Sequence, residues 1–530
     1  MRTGRGANEG TTQLTRDGDD PATRDRAVFD SLEPDSRDEV GVPSMLERLI
    51  ETGLRRDDLR LQEVFRALED ADERAIDFDS FSTVIGPCRG LIERALAGRL
   101  TIPDFPSFKT EVTALYERSL ARRDGELASY IPQLARVNPE RFGVAICTAD
   151  GQMFSIGDAD IEFSLQSCAK PIIYSLALEE HGAEHVHRYI GREPSGRGFN
   201  ELSLDSDGKP HNPMINSGAI MACALLQRGQ ELADRFEFVL DSIRRIAGGR
   251  KVGFSNSVYL SERRSADRNF ALGYLMREHK AFPEGTQLIE ILEFYLQCCS
   301  VEATAEVMAV VAATLANAGV CPTSGLRQFK PATVQNCLSL MSSCGMYDFS
   351  GEFAFTVGLP AKSGVSGAII GVVPNVLGFC CWSPRLDEHG NSVRGLDFCR
   401  RLVQAYNFHA FDNLTGMSEK KDPRLTRAQN FADDAGQVTW AASFGDLKGI
   451  RQLVARGVDL ERGNFDSRTA LHLAAAEGHL EVVEYLLNLG VDPQPVDRFG
   501  NTPLDDATRE GHEPVIELLT HGSKRGERAW

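Results

Sequence analysis

The chain has 530 residues, 42% of them hydrophobic and 25% charged, with 12 cysteines and a formal net charge of −18. That is enough length for about three or four domains, and the acidic balance argues against general nucleic-acid binding and against docking on acidic membrane surfaces. No apolar run reaches the roughly 20 residues of a membrane helix.

Residues 1–40 are polar, rich in Gly and Asp and without periodicity, and are expected to be disordered. Arg2, Arg5 and Arg16 are offset by Glu9, Asp17, Asp19 and Asp20, so this stretch reads neither as a secretory signal nor as a clean organellar presequence. The expected compartment is the cytoplasm, with mitochondria left open for a eukaryotic source. Every cysteine lies between Cys88 and Cys399 and none forms a C-x-x-C pair, which favours reduced, mostly buried thiols. Residues 41–125 carry helical stripes: Met45, Leu46, Leu49 and Ile50, then Leu61, Val64, Phe65 and Leu68, then Leu91, Ile92 and Leu96. The stretch Asp70–Ala75 imitates a calcium loop, but Arg74 and Ala75 stand where a ligand and the turn glycine belong, and no closing Glu follows. An EF-hand-like helical bundle that does not hold calcium is expected.

Residues 126–413 mix strands and helices, an α+β pattern. Phe142–Cys147 leads through Asp150-Gly151 into Gln152–Ser155, a hairpin signal. The Ala- and Val-rich stretch from Ser300 to Ala318 predicts a helix. Strands at both ends of this region, around a helical middle, predict a sheet assembled from remote parts of the chain. Within it, Ser167-Cys168-Ala169-Lys170 precedes the helical stripe Ile172, Ile173, Leu176, Ala177 and Leu178. Pro171 belongs in a helix's first turn, so a helix should open near Ser167 and set Lys170 on the same face. A serine hydroxyl is a weak nucleophile until a base takes its proton, and a desolvated lysine can be that base. Cys168 is a rival nucleophile with no nearby histidine to activate it. A second element, Ala361-Lys362-Ser363-Gly364-Val365-Ser366-Gly367 running into Ala368–Val373, is a small-residue strand whose backbone N–H groups can approach a substrate carbonyl. His211, placed before Asn212-Pro213, is read as structural.

A charged linker is expected over residues 414–432 and a short tail over 523–530. Between them, over 433–522, Gly445-Asp446-Leu447, Gly478-His479-Leu480 and Gly511-His512-Glu513 recur at constant spacing. Thr469-Ala470-Leu471-His472 and Thr502-Pro503-Leu504-Asp505 keep the same offset. This is the pattern of all-α ankyrin repeats, with His472 stabilising a turn and the array offering a surface for a protein partner.

The middle region resembles the serine-dependent glutaminases, which share the β-lactamase and penicillin-binding-protein-like fold. The resemblance rests on Tyr130–Leu134, Glu193–Gly196, Lys209–Asn216, Val252–Asn256, Ser261–Arg263, Asp267–Phe270 and Ser343–Gly351. A helical N-terminal region, this core and an ankyrin tail are similar in order to the kidney- and liver-type enzymes of animals. The resemblance implies hydrolysis of L-glutamine to L-glutamate and ammonia through an acyl-enzyme, with no metal or organic cofactor and with phosphate as an activator. It also implies homo-oligomers, from dimers and tetramers to filaments. By the same resemblance Ser167 is the nucleophile, Lys170 the base and Tyr347 a proton carrier whose pKa neighbouring ammonium groups lower. The backbone N–H groups of Ser167 and Val365 form the oxyanion hole. Glu262 meets the substrate ammonium, while Asn216, Asn269, Tyr295, Tyr130 and Gln166 hold the remainder of the amino-acid end, and Lys362 adds positive potential near Ser167. The segment Gly198–Lys209 corresponds to a mobile loop near the site entrance. Two rival functions are another amidase or penicillin-interacting acyl transferase on this fold, and an ankyrin scaffold with an inert core.

Overall fold

A computed structural model describes residues 21–30, 32–70, 75–196, 201–412, 420–425, 436–455 and 458–522. The chain divides into two compact units, cut between Leu402 and Val403.

The first unit opens with helical elements. Order begins earlier than the polar composition predicts: a helix spans Pro21–Asp30, and the strand Glu39–Gly41 pairs antiparallel with Ala75–Asp77. The expected disorder of residues 1–40 therefore does not hold for the described part of that stretch. A few apolar side chains suffice to order it, because Phe29 is fully buried edge-on to Phe78 and Phe81 at 5.6 and 5.3 Å. Most of the Asp70–Ala75 loop lies outside the described residues.

The remainder of the first unit is built around a five-stranded antiparallel sheet. Across it run Met153–Gly157, Gly143–Thr148, Leu377–Trp382, Ala368–Val373 and Ala361–Gly364. The predicted hairpin is its edge pair, turned at Gly151 with φ +100°. Its three other strands come from more than two hundred residues later, the remote assembly that the pattern predicts. The stretch predicted as one helix from Ser300 is instead a strand, Val301–Ala303, followed by the helix Ala305–Ala316. Thr304 caps that helix by accepting a hydrogen bond from Val307 N, which ends the extended segment. The helix covers the sheet closely because Gly378 has no Cβ, which would collide with the Ala312–Ala313 backbone.

The second unit holds the ankyrin helices Leu447–Ala455, Ala470–Ala476, Leu480–Asn488, Pro503–Glu510 and Glu513–Gly522. Most of the expected linker and the whole tail 523–530 lie outside the described residues. All twelve cysteines are free, and no helix among the described residues is long and apolar enough to cross a membrane.

Candidate active site

The strand Phe163–Ser164 enters a single 3-10 turn, Gln166–Ala169, and then the helix Lys170–Tyr189 with Pro171 in its first turn. Ser167 thus sits half-buried where the helix opens, and Lys170 is buried one turn on. Two non-glycine residues here occupy the left-handed region, Gln166 at φ +48° and Tyr347 at φ +55°, each at a cost of about 1–2 kcal/mol. Hydrogen bonds hold both. Gln166 Nε2 donates to Glu262 Oε1 at 2.9 Å and to Ser164 Oγ at 3.5 Å. The Tyr347 turn is clasped by Ser350 Oγ, which donates to Tyr347 O at 2.7 Å and accepts from Met346 N at 3.0 Å. Gly345 lets this turn lie against the sheet edge, since a Cβ there would meet Ala361 O.

Two polar clusters lie beside Ser167, one joined to Lys170 and the other to Gln166. In the first, Asn216 Oδ1 accepts from Lys170 Nζ at 2.7 Å and from Tyr295 Oη at 3.2 Å, while its Nδ2 donates to Asn269 Oδ1 at 3.1 Å. Asn216 is the first residue of the helix Asn216–Leu225, whose N-cap is Ile215, and its side chain belongs to this network. In the second, buried Glu262 accepts from Tyr130 Oη at 2.7 Å and from Gln166. Burial pushes the Glu262 carboxyl up and these two hydrogen bonds oppose the shift. Glu262 is no surface ion-pair partner of its neighbour, because Arg263 pairs with Glu293 at 3.0 Å.

The site also buries two lysines, neither with a carboxylate partner among the described residues. Burial pushes Lys170 down to about 8. Lys362 is pushed down to about 7, first by burial and then by repulsion from Lys170. Lys362, expected to add positive potential beside Ser167, also braces Tyr347: its Nζ donates to Gly345 O at 2.9 Å and Ser363 O at 2.7 Å, 4.4 Å from the Tyr347 ring centroid. Burial raises the Tyr347 phenol well above its ordinary value, against hydrogen bonding from the Ser167 side chain and the Val365 N–H. The expectation of a lowered tyrosine pKa is therefore reversed, because desolvation outweighs the nearby amines. Cys168 is fully buried, its thiol pushed up to about 11 and its Sγ set against Lys362 O at 3.5 Å, so it is a packing residue.

All ten of the predicted site residues thus converge, Tyr130 by its hydroxyl although the residue is 48% exposed. Sequence reasoning missed Ser164, Gly345 and Ser350; only the glycine left a signal, in the turn before Tyr347. A cavity of about 470 Å³ adjoins Tyr347, lined also by Ser195, Gly196, Asn212, Met214 and Ile215. Of the entrance loop, residues 197–200 lie outside the described residues; Asp205 closes its far end by accepting from Asp207 N and Lys209 N.

The glutaminase family model matches residues 125–411, an ankyrin-repeat model residues 438–527 and an EF-hand domain model residues 24–103. Putative glutaminase 3 of Caenorhabditis elegans is 44% identical over 84% of this chain and 78% of its own length. The mitochondrial liver isoform of glutaminase from Rattus norvegicus is 43% identical over 83% of this chain and 74% of its own. Among solved structures, Mglu in its native form matches with a TM-score of 0.55 and 38% identity, covering 57% of this chain and 73% of that one. A probable glutaminase matches at 0.55 and 34%, covering 58% of this chain and 98% of that one. With that core matched across more than half of its length, this chain belongs to the glutaminase family, with an EF-hand domain before the core and ankyrin repeats after it.

Proposed function

We propose that this chain hydrolyses L-glutamine through an acyl-enzyme on Ser167. The observation that carries this reading is the pair of polar clusters beside Ser167, one centred on Glu262 and one on Asn216. Glutamine needs an anion for its ammonium and hydrogen-bond donors for its α-carboxylate, and the clusters supply both. Glu262, steadied by Tyr130 and Gln166, takes the ammonium. The amides of Asn216 and Asn269 and the Tyr295 hydroxyl take the carboxylate. This draws Asn216 away from Lys170, whose depressed pKa leaves it able to accept a proton near neutral pH.

Ser167 Oγ then attacks the side-chain carbonyl carbon while Lys170 takes its proton. The oxyanion is met by the N–H groups of Ser167 and Val365, worth about 3 kcal/mol per donor in comparable sites. Tyr347, a protonated phenol at rest, gives its proton to the leaving nitrogen, the C–N bond breaks and ammonia departs. Water attacks the ester and returns a proton to Tyr347, and collapse of the tetrahedral adduct returns the Lys170 proton to Ser167 Oγ and frees glutamate. Side chains and backbone carry every step. Lys362 acts on this sequence by orienting the Tyr347 ring. Twelve free thiols fit a reducing compartment.

A coupled assay of ammonia release from glutamine and asparagine, run beside the absorbance change of a chromogenic β-lactam, tests the reading. Turnover of glutamine alone, abolished in Ser167→Ala, is expected; activity surviving that substitution refutes the mechanism. A β-lactam lacks the free amino-acid end that would satisfy Glu262 and Asn216 together.

A further inference from the structure

A second cavity of about 590 Å³ is lined by residues that neighbour those of the catalytic site. Ser164 and Ser366 both line it: the first lies two residues before Gln166 and hydrogen-bonds to it, and the second directly follows Val365. Val258, also in the lining, sits one helical turn before Glu262.

The lining is polar and carries both signs of charge. Arg136 and Arg141 supply guanidinium groups, whose fork of donors matches a carboxylate. Glu162 at this cavity is already held by Lys251 at 3.2 Å, so Glu302 is the carboxylate left to meet a cation. An apolar ligand would leave the Arg141 and Glu302 charges of the lining without a partner, and a simple anion would leave Glu302 opposed to it.

We propose that this cavity is a second amino-acid site, in which Arg136 and Arg141 bind the carboxylate and Glu302 the α-ammonium. A ligand there touches the support of both the ammonium-binding wall and the oxyanion strand, through Ser164–Gln166–Glu262 and through Ser366–Val365. Binding stands on the cavity alone; its influence on turnover rests on the acyl-enzyme reading.

The test uses the full chain, first acylated with an electrophilic glutamine analogue and checked for complete labelling by intact mass, so that the catalytic pocket is closed. L-Glutamate is then titrated calorimetrically. One saturable equivalent per chain is expected, weakened at least tenfold in Arg136→Ala/Arg141→Ala and at least tenfold for glutarate, which keeps both carboxylates and lacks the ammonium. Thermal unfolding reports whether the double variant folds; if it does not, Arg141→Lys and the glutarate comparison carry the test. No saturable binding to the acylated chain, unchanged affinity in the folded variant, or equal binding of glutarate overturns the proposal. Failure of the analogue to label the chain would sink the acyl-enzyme reading instead, and the second site would then be sought as the arginine-dependent component of a two-site titration.

Discussion

The ankyrin array and the catalytic centre both bury histidines, lysines or acids, and they handle them in opposite ways. In the array every such group serves the fold. His472 Nδ1 accepts from Thr469 N at 3.1 Å, so its Nε2–H donates to Asn501 O at 3.1 Å. His479 and His512 reach back to Ser443 O and Ala476 O, each at 3.0 Å, tying one repeat to the one before. At the catalytic centre two lysines are buried without carboxylates, and two residues hold left-handed backbone angles. Buried polarity makes structure in one region and reactivity in the other. The difference is testable by mutation, because the same kind of substitution should cost stability in the array and chemistry in the site.

The largest contrast is expected for Tyr347→Phe, which keeps the ring under Lys362 and removes only the hydroxyl. Steady-state kinetics should show kcat reduced about 10²–10⁴-fold, the range for one proton carrier, with an unchanged unfolding midpoint. A kcat within threefold of the parent would remove Tyr347 from the mechanism. Next comes Glu262→Ala. Loss of the buried carboxylate should lower kcat/KM for glutamine about 10²-fold, with most of the change in KM; an unchanged KM would contradict the assignment.

The roles of these two residues come from the resemblance; other parts of the site are exposed well by the sequence itself, and the reason is local. Ser167, Lys170 and Pro171 sit in one turn, where spacing and helix chemistry report their relation directly. The ankyrin period is equally visible, because each repeat makes the same short-range contacts. What stays hidden depends on the enclosure made by the whole fold. Nothing in the string Gly-Met-Tyr-Asp-Phe signals that Tyr347 is desolvated enough for its pKa to rise rather than fall, or that its φ is positive. Lys362 reads as a charge near Ser167 until the turn at Gly345 is seen to capture its Nζ. The helix at Pro21–Asp30 escapes a composition argument because few residues anchor it: Phe29 packs among aromatics from another element, with Val28 in the same core.

The third prediction concerns pH. Lys170 must be neutral to accept the Ser167 proton, and its folded pKa is about 8, so kcat/KM should climb tenfold per unit below that value and level off above it. A limb centred near 7 would point to Lys362, pushed to about 7, as the titrating amine; a flat profile would contradict both. The linkage sign is the same for stability. Folded Lys170 binds fewer protons than the unfolded chain between about 8 and the ordinary 10.5, so its contribution to stability rises with pH across that window.

The smallest effect belongs to the array. His472→Ala should destabilise the repeats by about 1–2 kcal/mol through two lost buried hydrogen bonds, read in chemical unfolding of the second unit, with kcat for glutamine unchanged. Since burial depresses the His472 pKa, its neutral form is the folded one, and the array should weaken as pH falls below about 6.5. A substantial loss of kcat would break the division between the two regions.

The measurement that bears most directly on the central claim is the position of the covalent adduct left by an electrophilic glutamine analogue, mapped by peptide mass spectrometry. A single modification on the Ser167 oxygen is predicted, absent in Ser167→Ala; label on Cys168 or on any other residue would contradict the account.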